Sequence, residues 1–97
     1  MNIEQLRQFK PQIQALARQY NIDPDSIRVF GSVARGDMEQ DSDIDLLIKP
    51  MSGCNIFEIA GFHEDVGAML NCAVDVVSER AVLPAMRDSI LNDAKPI

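Results

Sequence analysis

Apolar residues recur at Ile3, Leu6, Phe9, Ile13, Leu16, Ala17 and Tyr20, a three-and-four spacing that predicts one buried helical face. Pro11 interrupts it, either kinking the helix or opening a second one with proline in its first turn. Residues 21–26 gather Asn, Asp, Pro, Asp and Ser and read as a connecting turn. Residues 27–30 are a short predicted strand stopped by Gly31. Ser32 is placed to cap a short helix through Val33, Ala34 and Arg35, and Gly36 to end it. A polar loop follows over 37–42. Residues 43–48 alternate and then run apolar at Leu46, Leu47 and Ile48, which suits a strand entering a well-covered sheet.

Residues 50–55 form a second loop with Ser52 and Gly53, and Asn55 caps the next predicted helix. In that helix Ile56, Ile59, Ala60, His63, Val66 and Leu70 share the expected core face, with Glu58, Glu64 and Asp65 turned away. Residues 73–77 are a third strand with Asp75 as its one charge. Pro84 opens a last helix whose stripe is Met86, Ile90 and Leu91. The predicted order is helix, strand, short helix, strand, helix, strand, helix.

Composition narrows this pattern. With 97 residues and 46% hydrophobic content, residues 1–97 are expected to form one small domain with a single core. A net charge of -6 and a pI near 4.5 disfavour a long nucleic-acid partner. Neither a signal peptide nor a membrane span is legible, so no membrane partner and a cytoplasmic location are expected. Cys54, Cys72 and His63 lack the spacing and number of a zinc site; both thiols are expected reduced, with Cys72 buried.

Asp43 and Asp45 flank Ile44, so on a strand both carboxylates project from one face about 6 to 7 Å apart, while Ile44 points to the core. Such a pair can hold hard divalent cations. Taken alone it reads as a loop end and an exposed strand residue, because acidic pairs at strand starts are common. Gly31 and Ser32 alter the balance, because a glycine turn permits close backbone approach and its N–H groups, with a hydroxyl, can cradle a phosphate. Asp75 inside an apolar strand calls for solvent, a partner or a metal. Arg35 has two readings, a bidentate phosphate ligand or a surface ion pair with Asp37 or Glu39. His63 reads as a helix residue at the core edge, and Asp37 as a loop acid.

Together, Gly31-Ser32, then Asp43-Ile44-Asp45-Leu46, then a later strand carrying Asp75 resembles the minimal nucleotidyltransferases of the DNA polymerase beta-like superfamily. The likeness is greatest to the MNT-type antitoxins of HEPN/MNT toxin-antitoxin pairs. It implies an α/β (α+β) fold with a small mixed sheet of about three or more strands flanked by helices. It also implies that Gly31 and Ser32 bind a nucleoside triphosphate, to which Arg35 is a candidate further ligand on its own chemistry, and that Asp43, Asp45 and Asp75 are catalytic and hold metal, with two magnesium ions. The implied reaction is transfer of AMP from ATP to a hydroxyl, the acceptor being a tyrosine of a HEPN-type toxin. Two alternatives are a non-catalytic antitoxin acting by occlusion and a small-molecule nucleotidyltransferase working as a homodimer.

Overall fold

A computed structural model describes residues 1–37, 43–82 and 84–97. Most of the polar loop expected over 37–42, including Glu39, lies outside the described residues.

The N-terminal stripe forms two helices rather than one kinked helix. Helix α1 (Ile3–Gln8) opens on a capping box in which Asn2 and Gln5 satisfy each other's backbone N–H groups. Helix α2 (Lys10–Gln19) then carries Pro11 at its start, where proline's missing N–H has no intrahelical partner to lose. Leu6, Ile13 and Ala17 are fully buried from this face.

Strand β1 (Arg28–Phe30) leads directly into helix α3 (Gly31–Arg35). Strand β2 (Ile44–Ile48) pairs antiparallel with β1, setting Val29 against Leu46 and Phe30 against Asp45. Helix α4 (Ile56–Leu70) crosses over to strand β3 (Val74–Ser78), which pairs parallel with β2. A short 3-10 turn (Glu79–Ala81) and helix α5 (Pro84–Asp93) lead to β4 (Lys95–Pro96), antiparallel to β1. The result is a four-stranded mixed sheet ordered β3-β2-β1-β4. The two-residue strand β4 and the 3-10 turn lie beyond what periodicity predicts.

The sheet has two unlike faces. On one, Val29, Ile44, Leu46, Ile48 and Val74 pack in a single core with Leu6, Ile13, Phe62, Val66 and Leu70 of the helices. Alternation along the strands sends Phe30, Asp45, Leu47, Asp75 and Val77 to the other. That second face is covered in part by α5, whose Ile90 is buried while Met86 and Leu91 stay largely exposed. Only one residue of the stripe expected on α5 is therefore buried.

The inward face of α4 also differs from the expected one. Phe62, Val66 and Leu70 are buried, whereas Ile56 is 75% exposed, Ala60 is exposed, and His63 is exposed at the core edge. Asp65 turns back toward the protein and accepts a hydrogen bond from the Tyr20 hydroxyl. Gly61 sets this phase, because a Cβ there would stand 2.6 Å from Cε1 of Tyr20. Asn55 caps α4 as expected, within a capping box closed by Glu58. Cys54 and Cys72 are free thiols, each only partly buried, which corrects the expectation for Cys72. Among the described residues no helix is long and apolar enough to cross a membrane.

Candidate active site

The site begins where β1 ends. Phe30 is extended, Gly31 takes φ +72° and turns the chain into α3, and Gly36 at φ +77° ends that helix. The expectation that Ser32 is the cap is corrected. The helix starts two residues earlier, with Phe30 in the cap position and no side-chain capping bond to the first turn. A left-handed glycine makes the turn by itself, which leaves the Ser32 hydroxyl free of a capping bond.

This turn lies against Asp45. A Cβ built on Gly31 would fall on the Asp45 carboxylate, its nearest atom being Oδ2. The position thus requires glycine twice, for its backbone conformation and for its space. Across the sheet, Phe30, Asp45 and Asp75 stand in one row, since Phe30 pairs with Asp45 and Asp45 with Asp75. The parallel register of β2 and β3 is what brings together two acids thirty positions apart in sequence. Asp43 lies just before β2, exposed, two residues from Asp45.

The electrostatics follow from this crowding. Partial burial pushes the Asp45 carboxyl above the usual carboxylate range, and the charges of Asp75 and Asp43 and a hydrogen bond shared with Asp75 push it further. Arg35 acts weakly in the opposite sense. Such a pair is stabilised by a cation or by a proton. Among the described residues no three acidic, histidine or cysteine side chains converge closely enough to enclose a metal ion on their own. The donor set nevertheless suits magnesium, which is held by one or two carboxylates and fills its other positions with water and substrate phosphate.

Arg35 is bonded to two acids, through Nε to Asp37 Oδ2 at 3.2 Å and through a terminal nitrogen to Asp93 Oδ2 at 2.6 Å. Asp37 is a partner expected from the sequence; Asp93, on α5, is not. His63 stands apart from the site, its ring Nε2 hydrogen-bonded to the Val74 carbonyl oxygen.

Beside the carboxylate row opens a cleft of about 430 Å³ between the sheet and α5. Its lining includes Phe30, Asp45 and Asp75 together with Val77, Val82, Met86 and Ile90. Sequence reasoning did not find this wall. The one available signal was Phe30, the last residue of the predicted strand before the Gly31 turn; its pairing with Asp45 depends on strand register, and the α5 residues depend on how that helix crosses the sheet.

The family model for polymerase beta nucleotidyltransferases matches residues 11–97. A Methanocaldococcus jannaschii protein, provisionally named a protein adenylyltransferase, is 32% identical over 66 residues, spanning 68% of this chain and 71% of its own length. A solved structure provisionally named a minimal nucleotidyltransferase superposes with a TM-score of 0.85 at 35% identity, covering all of this chain and 97% of the other. The fold is shared, at 20% identity and a TM-score of 0.73, with a toxin-antitoxin crystal structure containing AMP-PNP, over 90% of this chain and 70% of that one. It is shared again, at 17% identity and a TM-score of 0.68, with a Shewanella oneidensis complex of a tri-AMPylated HEPN toxin and an MNT antitoxin, over 93% and 69%. The chain is a nucleotidyltransferase and belongs to the polymerase beta nucleotidyltransferase family.

Proposed function

We propose that this protein is a magnesium-dependent protein adenylyltransferase that transfers AMP from ATP to a tyrosine hydroxyl of a HEPN-type toxin. The observation that carries this reading is the Asp45–Asp75 register pair set directly against the Gly31 turn. Support comes from the adenylyltransferase name of the M. jannaschii relative and from the AMP-PNP and AMPylated-toxin complexes that share the fold.

Each residue has a part in the reaction. The Gly31–Ser32 turn offers backbone N–H groups and a hydroxyl to the β- and γ-phosphates. Arg35 exchanges Asp37 and Asp93 for phosphate oxygens when nucleotide enters. Asp43 and Asp45 would hold the magnesium ions, and Asp75 would complete the set and accept the acceptor's proton. The tyrosine oxygen attacks the α-phosphorus, a P–O bond forms, the bond to the β-phosphate breaks, and pyrophosphate leaves with the electron pair. Magnesium supplies stabilisation of charge on the attacking and leaving oxygens. With positions fixed in advance, the protein's contribution is orientation and electrostatics.

The test is transfer of label from α-labelled ATP to a co-purified toxin partner in the presence of magnesium. Asp43→Asn, Asp45→Asn and Asp75→Asn should each reduce labelling at least about a hundredfold, as loss of a preorganised charge does. Undiminished labelling in these variants would overturn the assignment. Occlusion without chemistry is favoured by one observation, the exposed Ile56 and Phe57 at the start of α4, at 75% and 81%. It predicts that a toxin stays silenced by the Asp45→Asn protein.

A further inference from the structure

We infer that Asp93, on α5, is a built-in competitor of the triphosphate for Arg35: it lowers the affinity of the site for ATP and draws the arginine back as pyrophosphate leaves. The inference deepens the adenylyl-transfer reading above and rests on it.

Arg35 stands where a phosphate would meet it. It lies four residues after Gly31 in α3, one helical turn on, so the two share a face of that helix. Its charge reaches the carboxylate row, where it acts on Asp45 in the sense opposite to the neighbouring acids. Its donors are nonetheless occupied, Nε by Asp37 Oδ2 at 3.2 Å and a terminal nitrogen by Asp93 Oδ2 at 2.6 Å. These are N–H groups that a phosphate would take in pairs.

The two acids are not equal. Asp37 is two residues away and its side chain is 60% exposed, whereas that of Asp93 is 25% exposed and comes from another element. Solvent therefore weakens the first pair more. Asp93 also has its own reason to hold an arginine. It is the last residue of α5, where the helix carbonyls concentrate negative charge, and the last turn of that helix has no basic residue. Among the described residues Arg35 is its one ion-pair partner. The chain around Asp93 is fixed: the Ala94 N–H donates to the Ile90 carbonyl, Lys95 and Pro96 pair with β1, and Ile97 is buried. Asp93 stays behind when Arg35 turns to a phosphate, and an uncompensated acid is left at a helix end. The triphosphate gains Arg35 only by stripping it from Asp93. Once the bond to the β-phosphate has broken, the same pull acts on pyrophosphate and favours its release.

Calorimetric titration with ATP and with inorganic pyrophosphate, each with magnesium, tests this on the wild-type chain, Asp93→Asn, Arg35→Gln and the double variant. Asp93→Asn keeps the shape of the side chain and removes its charge, so affinity for both ligands should rise about two- to fivefold, the size of one partly exposed ion pair. Arg35→Gln should lower both affinities. Adding Asp93→Asn to it should then change nothing, because the acid acts only through the arginine. In turnover, pyrophosphate should inhibit the Asp93→Asn protein at a correspondingly lower concentration. An unchanged or weakened affinity in Asp93→Asn overturns the inference and leaves the adenylyl-transfer reading intact. So does a gain that persists in the Arg35→Gln background, which would be general relief of negative charge, or a larger gain from Asp37→Asn. A wild-type chain that binds neither ligand with magnesium defeats the parent reading, and this inference with it.

Discussion

Gly31 and Asp45 constrain each other, and their substitution should give opposite effects on stability. Gly31→Ala places a side chain in the left-handed region and its Cβ on the Asp45 carboxylate. A loss of at least about 1–2 kcal/mol in denaturant unfolding is expected, together with weakened ATP binding. Asp45→Asn should instead raise Tm at neutral pH while removing activity. The sign follows from the raised carboxyl: the folded protein binds that proton more tightly than the unfolded chain. Ionisation therefore costs stability as pH rises from the ordinary aspartate value through the folded one, and a neutral side chain avoids that cost. The gain should vanish once the pH falls below the ordinary value, and a Tm difference independent of pH would count against it. At this scale the site acids were legible because Ile44 between Asp43 and Asp45 marks strand alternation. The Arg35–Asp93 pair was not, since it spans 58 positions and depends on the placement of α5.

Helix α4 shows how two readings of one periodicity are separated by packing. Both the face led by Ile56, Ala60 and His63 and the face led by Phe62 satisfy helical spacing, with Val66 and Leu70 common to the two. The structure takes the second because Phe62 fills the core and Gly61 admits the Tyr20 ring. Phe62→Ala should accordingly cost about 3–5 kcal/mol in chemical denaturation, whereas Phe57→Ala, at a side chain 81% exposed, should stay within about 0.5 kcal/mol. Strand β4 was illegible for a different reason. A Lys-Pro dipeptide has neither alternation nor a full set of donors, and it pairs only because β1 leaves an open edge beside it. The next residue, Ile97, is anchored in the core, so the short strand is held by its neighbour's burial as much as by its own ladder.

For the molecule as a whole, an acidic chain that gathers carboxylates on one face of its sheet carries a local charge excess that a divalent cation relieves. Adding millimolar magnesium should raise Tm for the wild type, because a ligand that binds only the folded state stabilises it. The rise should be smaller for Asp45→Asn, and an equal rise in both would show that the cation binds elsewhere. The parallel register of β2 and β3 also bears on how such proteins change over evolutionary time. Side chains alternate faces with each residue, so inserting or deleting one residue between Leu70 and Val74 would exchange the strand's two faces. Asp75 would then enter the hydrocarbon core while Val74 or Val76 replaced it beside Asp45. The short link from α4 into β3 is therefore a place where length is under stricter selection than residue identity. Lineages of this enzyme are expected to conserve its count more strictly than its amino acids, apart from Asn71, whose left-handed backbone at φ +53° favours asparagine or glycine.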